Sequence, residues 1–313
     1  MNARVLISGS VAYDTIMVFD GHFKDHILPD RVHMLNVSFL APTLKREFGG
    51  CAANIAYNLN MLGGRPTVLA AVGRDGADYV RRLGGMGIDT GSILQLDEHY
   101  TAQAFITTDL SDNQITAFHP GAMSDAHRVS VADALPAAWG IVAPNGKDAM
   151  LRHAAEFTEH GVPWIFDPGQ ALPMFAGDEL KSLIARASAL AVNDYESRLL
   201  SEKTGWDETM LAANVEAMIV TRGGDGSVLH ERGQVRAVAP AAITDALDPT
   251  GCGDAYRGGL LYGLATGGGW LQAARLGSVL GAIKIESAGP QNHRFTREQV
   301  AQRFERTYGQ PPW

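Results

Sequence analysis

Cysteine is almost missing from this chain. There are two in 313 residues, Cys51 and Cys252, far apart and neither in a C-x-x-C pair. That argues against a structural zinc site and reads as two free thiols in a reducing cytoplasm. No apolar run reaches the roughly 18 residues of a membrane span. Met1-Asn2-Ala3-Arg4-Val5 lacks the basic segment, apolar stretch and cleavage site of a signal peptide and reads as the first strand of the fold. Basic charge is also short: the formal net charge is −8 and the pI about 5.7. Neither nucleic acid nor an anionic membrane is expected as the main partner, although a small anion needs only a local positive pocket. Several motifs are absent as well. No G-x-G-x-x-G follows the first strand, which disfavours an NAD-dependent dehydrogenase. There is no P-loop, no H-E-x-x-H and no G-x-S-x-G, which removes the P-loop nucleotide site, the common zinc protease and the α/β-hydrolase.

What remains is 46% hydrophobic and only 19% charged, enough apolar chain for one large core with no tendency to disorder. Buried strands are expected at Val5–Gly9 and Thr67–Gly73, and a helix at Ala52–Leu62. From about residue 130, strands at Gly140–Ala143, Trp164–Asp167, Ala189–Val192 and Met218–Thr221 alternate with helical stretches. That rhythm is the mark of βαβ units and a parallel sheet. A hairpin follows at Ser227–His230 and Gln234–Val238, then helices at Asp254–Ala265, Trp270–Glu286 and from Thr296. Two β-rich interruptions break the core. One carries the alternating stretches Ile16–Phe19 and Val37–Leu40. The other is a hairpin, Gln103–Thr108 with Gln114–Phe118, turning at Asp112-Asn113. The expected division is a core of 1–12, 46–98 and 126–313, with a small β-sheet lid of 13–45 and 99–125.

The segment richest in chemistry is Asp248-Pro-Thr-Gly-Cys-Gly-Asp254-Ala-Tyr-Arg-Gly-Gly259. Gly251 and Gly253 let a bulky anion approach the backbone amides. A helix beginning there adds free N–H groups and the positive end of its dipole. Asp254 stands where that anion site meets the helix and can accept a proton from a hydroxyl. Read alone, the segment is equally a tight turn with a capping carboxylate.

Three further segments shift the balance. Residues 248–259 resemble the second signature of the ribokinase-like (PfkB) kinase family, D-x-x-G-A/C-G-D. Gly49-Gly-Cys-Ala-Ala-Asn54 is similar to the first, G-G-x-x-x-N; Asn193-Asp-Tyr-Glu196 resembles N-x-x-E; Thr221-Arg-Gly-Gly-Asp-Gly226 resembles T-x-G-x-x-G. All four occur in family order. The resemblance implies a three-layer αβα core with a mainly parallel sheet and a β lid, and an ATP-dependent kinase acting on an alcohol. By position, it implies Asp254 as base, with the amides of Gly251, Cys252 and Gly253 as an anion hole. Asn193 and Glu196 would organise Mg²⁺ through water, and Thr221, Gly223 and Gly226 would meet the nucleotide. Asp14, Gly49, Gly50 and Asn54 would meet substrate hydroxyls. Asp248, Thr250 and Gly289 would sit at a potassium site, with His293 a departure that puts it in doubt. A homodimer through the lid stays open.

For the substrate, the stretches 47–59, 116–123 and 289–293 resemble bacterial and archaeal nucleoside (adenosine) kinases of that family. Phe118 is placed to stack on a purine, with Met123 nearby, and Gln103 to add a polar contact. The leading expectation is adenosine phosphorylated at its 5′-hydroxyl. The alternatives are a kinase of ribose or a related furanose, and a catalytically dead sensor on the same fold.

Overall fold

The computed structural model describes residues 3–27, 37–111 and 113–313. Two sheets organise them. The large sheet contains β1 (Arg4–Ser8), β4 (Arg65–Gly73), β5 (Ile93–Leu96), β8 (Trp139–Val142), β9 (Trp164–Phe166), β10 (Ala189–Asn193), β11 (Ala217–Thr221), β12 (Ser227–Glu231) and β13 (Gln234–Val238). Its order is β13-β12-β11-β10-β9-β8-β1-β4-β5. Every pairing is parallel except those of β12 with its two neighbours, which form the closing hairpin.

Period-two alternation divides the core. Val5 and Ile7 enter one buried cluster while Leu6 enters another; Ala189 and Ala191 likewise oppose Leu190 and Val192. A strand buried on both faces is what a parallel sheet between two helical layers requires. One layer holds α1 (Cys51–Met61), α2 (Ala77–Gly85), α7 (Cys252–Ala265), α8 (Trp270–Ile285) and α9 (Arg297–Tyr308). The other holds α3 (Lys147–Glu159), α4 (Gly177–Ile184), α5 (Asp194–Thr204) and α6 (Glu208–Ala213). This is the expected three-layer αβα fold. Among the described residues no helix is long and apolar enough to cross a membrane.

The small sheet runs β3-β2-β6-β7, with β2 at Ala12–Val18, β3 at Thr43–Gly49, β6 at Ala102–Thr108 and β7 at Gln114–His119. β3 continues to Gly49, past the edge expected at residue 45, because it pairs with β2 along its whole length. The alternating stretch Val37–Leu40 is not a strand. Leu40 is exposed, and Phe39 instead packs on Phe19 and Phe23. Asp112 of the predicted turn lies outside the described residues.

Candidate active site

Strand ends, helix starts and the base of the lid meet at one place. Asp254 lies in the first turn of α7, whose N-cap, Gly251, has φ 80°. That left-handed conformation suits glycine, and a Cβ there would come within 3.0 Å of Pro290. The amides of Gly251 and Gly253 head the helix. Cys252 differs from expectation, because its N–H already donates to Pro249 O at 3.1 Å. That bond closes the turn, so the Cys252 amide is engaged within it and is not left open to an anion. Both cysteines are free, and burial pushes both thiols up, Cys252 to about 11.

Across from Asp254, Asn54 of α1 donates from Nδ2 to Asp254 Oδ2 at 2.8 Å. Asn54 is itself oriented: its Oδ1 accepts from Gln291 Nε2 at 2.8 Å. Gln291 also bonds Tyr79 OH at 2.6 Å and accepts from Arg82 at 2.6 Å. Tyr79 in turn donates to Gly49 O at 2.7 Å. An amide with its oxygen satisfied in this way must present its NH₂ group to the carboxylate. Burial pushes the Asp254 carboxyl up to about 7. Asp167 adds to that shift, while Asn54 and Arg257 oppose it.

Sequence reading did not single out Arg257 and Asp167. Arg257 follows Asp254 by one helical turn and forms a buried fork with Asp167, Nε to Oδ2 at 3.0 Å and Nη2 to Oδ1 at 3.2 Å. The signal was present in the motif itself, where a charged residue interrupts a small and apolar helix start.

A cleft of about 630 Å³ opens beside Asp254. Its walls bring together the residues expected at the nucleotide, namely Asn193, Glu196, Thr221, Gly223 and Gly226, with Gly251, Cys252, Gly253 and Asp254. Ala241, Ala242 and Ile243 are among its apolar lining residues. The N-x-x-E pair forms a capping box at the start of α5. Asn193 Oδ1 accepts from Glu196 N at 2.7 Å, and Glu196 Oε2 from Asn193 N at 2.8 Å. Burial and then Asp167 raise the Glu196 carboxyl above its usual range. Among the described residues no three His, Cys, Asp or Glu side chains converge into a metal cage. Two carboxylates that press on each other at the cleft wall fit Mg²⁺, which keeps several waters and arrives with phosphates.

On the lid side, Asp14 Oδ2 stands where a Cβ on Gly49 would come within 2.5 Å, so only glycine admits this carboxylate. Gly50 caps α1 at φ 90°. Burial, with Glu47 and Asp248 adding, pushes Asp14 up to about 6. Asp14 pairs laterally with Glu47 and Ala104, and Ala104 with Phe118. Laterally paired residues share a face, so Phe118, half exposed, looks out from the same face as Asp14. The strand spacing sets them roughly 10 Å apart. Met123 is buried against Ala12 and Ala102 at the base of this sheet. Gln103 does not join the row. It pairs with Tyr13 and His119, one residue out of step, and so points to the opposite face, where its amide bonds Thr15. The expected substrate contact from Gln103 is therefore corrected.

Asp248, Thr250 and Gly289 do come together. Asp248 Oδ1 accepts from Thr250 N at 2.8 Å and Oδ2 from Gly289 N at 2.7 Å. The Asp248 carbonyl, however, is taken by the ammonium of Lys284 at 2.7 Å. The residues present do not fit a separate potassium ion there. His293 is bonded to Asn58 of α1 at 2.8 Å.

A glycine-headed helix start, a buried carboxylate and an open cleft beside them fit a phosphotransferase of the ribokinase-like class. Residues 7–296 match the pfkB family carbohydrate kinase. The chain is 45% identical to the Burkholderia thailandensis nucleoside kinase solved in complex with inosine, covering 98% of this chain and 100% of that one at a TM-score of 0.90. It is 27% identical to the Methanocaldococcus jannaschii nucleoside kinase structure, covering 98% and 99% at a TM-score of 0.87. The Methanothermobacter thermautotrophicus nucleoside kinase is 29% identical over 315 residues, 98% of this chain and 97% of that protein. The chain belongs to the pfkB carbohydrate kinase family, and it is an ATP-dependent kinase.

Proposed function

We propose that this kinase transfers the γ-phosphoryl group of ATP to the 5′-hydroxyl of a nucleoside, with adenosine as substrate, giving the 5′-monophosphate and ADP. The observation that carries this reading is the lateral row Asp14–Ala104–Phe118. It pairs a carboxylate suited to a vicinal diol with an aromatic ring about two strands away, the reach from ribose to base. The similarity to nucleoside kinases, one of them solved with inosine, supports it.

In this reading the diol binds Asp14 and Asn54, with Gly49 and Gly50 allowing close approach. ATP lies along Thr221, Gly223 and Gly226, its γ-phosphate before the amides of Gly251 and Gly253. Asp254 takes the hydroxyl proton as oxygen attacks phosphorus in line and ADP leaves. Asp167 and Glu196 would hold Mg²⁺ through water; when bound, the ion neutralises phosphate charge. Lid closure excludes water, which limits ATP hydrolysis.

The test is ADP release with adenosine, inosine, ribose and fructose under saturating MgATP. Adenosine and inosine are expected to outpace both sugars, and Phe118→Ala to raise KM for the nucleosides by about 5- to 150-fold, the loss of one stacked base. Faster turnover of ribose would overturn the reading in favour of a furanose kinase.

The pH dependence follows from Asp254. The free enzyme needs the ionised carboxylate, so kcat/KM for the nucleoside should fall as pH drops below about 7. Asn54 stabilises the ionised form, so Asn54→Ala should move this acid limb to higher pH. A profile flat between about pH 5.5 and 8 in the wild type would show that the Asp254 carboxyl is not held near neutrality.

A further inference from the structure

Lys284 is the one residue of the stretch Leu280-Gly-Ala-Ile-Lys-Ile285 that does not suit its surroundings. It sits in the last turn of α8 and is fully buried. Lysine is almost never fully buried unless paired. Its Nζ donates to Asp248 O at 2.7 Å and to Ser287 O at 2.9 Å, and lies 3.9 Å from Asp248 Oδ2. Two carbonyls and a carboxylate therefore converge on one point beside the negative end of a helix dipole. Without a positive charge those oxygens would repel one another.

The same point is mechanically central. Leu247 N and Asp248 N both donate to Ile285 O, and the Asp248 carboxylate ties Thr250 N to Gly289 N. The ammonium thus clamps the turn leading into Gly251–Gly253 against the turn that ends α8. An ammonium is a compact point charge, and this one is attached to the chain.

We propose that Lys284 is a tethered monovalent cation, a positioning residue that aims the amides of Gly251 and Gly253, so that the enzyme needs no dissolved potassium ion. This rests on the proposed anion-hole role of that turn. Lys284 touches no reacting atom in this arrangement.

The experiment measures kcat for wild type, Lys284→Ala, Lys284→Met and Gly251→Ala in potassium, ammonium, methylammonium or choline chloride at fixed ionic strength. Wild type is expected to turn over equally in potassium and choline. Lys284→Ala should lose about tenfold or more in choline and recover in ammonium, methylammonium or potassium, which can enter the space left by the side chain. Lys284→Met, which fills that space without charge, should lose activity and not recover. Several-fold activation of wild type by potassium would overturn the proposal, and this arm decides the matter even if the variants do not fold. Full activity of Lys284→Ala in choline, or a folded but unrescued Lys284→Ala, would overturn it too. Gly251→Ala separates the underlying reading: if it retains full kcat, the anion hole itself is misassigned, whatever Lys284 shows.

Discussion

Asp254→Asn will lower kcat by about 10²–10⁴-fold, the usual contribution of a positioned general base, while nucleoside and MgATP still bind. The amide keeps the shape and an oxygen facing Asn54, but it cannot take a proton. Single-turnover kinetics alongside equilibrium binding separates the two effects; near-wild-type kcat would remove Asp254 from the mechanism. The same variant should also be more stable at alkaline pH. The folded-state carboxyl titrates near 7, above its ordinary value of 3.8. Between those values the folded protein holds a proton that the unfolded chain has lost, so stability falls as pH rises through about 4 to 7. Asn carries no such dependence. Its Tm should exceed that of wild type at pH 8, and the difference should shrink toward pH 4.

The largest loss of stability is expected from Arg257→Met. Arg257 and Asp167 are both nearly inaccessible and joined by two hydrogen bonds. Removing one partner of a buried pair costs about 3–5 kcal/mol, because the other charge is left uncompensated. For a chain of this size that is a fall in Tm on the order of 10 °C. Asp167 also presses on Asp254, whereas Arg257 relieves it. The acid limb of kcat/KM should therefore move upward in pH as well. Replacing both partners, Asp167→Leu with Arg257→Met, should restore much of the stability, since a well-packed apolar pair often matches a buried ion pair. It should also bring the acid limb back toward its wild-type position, because the two opposing charges are removed together. Unchanged Tm in the single variant would mean that the pair contributes nothing to the fold.

Much of the fold was legible because its signals are local. Alternating apolar strands and helical stretches marked the parallel core. The pair Asn193 and Glu196 is a capping box whose two bonds span three residues. Gly251 marks a left-handed turn that the G-x-G-D pattern announces on its own. The stretch Val37–Leu40 misled because alternation describes a half-buried strand only when a partner strand is available, and its aromatic ring found a cluster instead.

The sequence by itself determined the class of fold, the turn that precedes Asp254 and the identity of that carboxylate, since each depends on neighbours within a few residues. Only the tertiary structure decided which distant groups surround it: Asn54 arrives from 200 residues away and Asp167 meets Arg257 across 90, while Lys284 reaches Asp248, at the start of the turn, across 36. It also decided that Phe118 shares a sheet face with Asp14 and that Gln103 does not. Strand register assigns faces, and a shift of one residue reverses every side chain. Burial did the rest, because a carboxylate in water and one held near pH 7 share the same letter in the sequence.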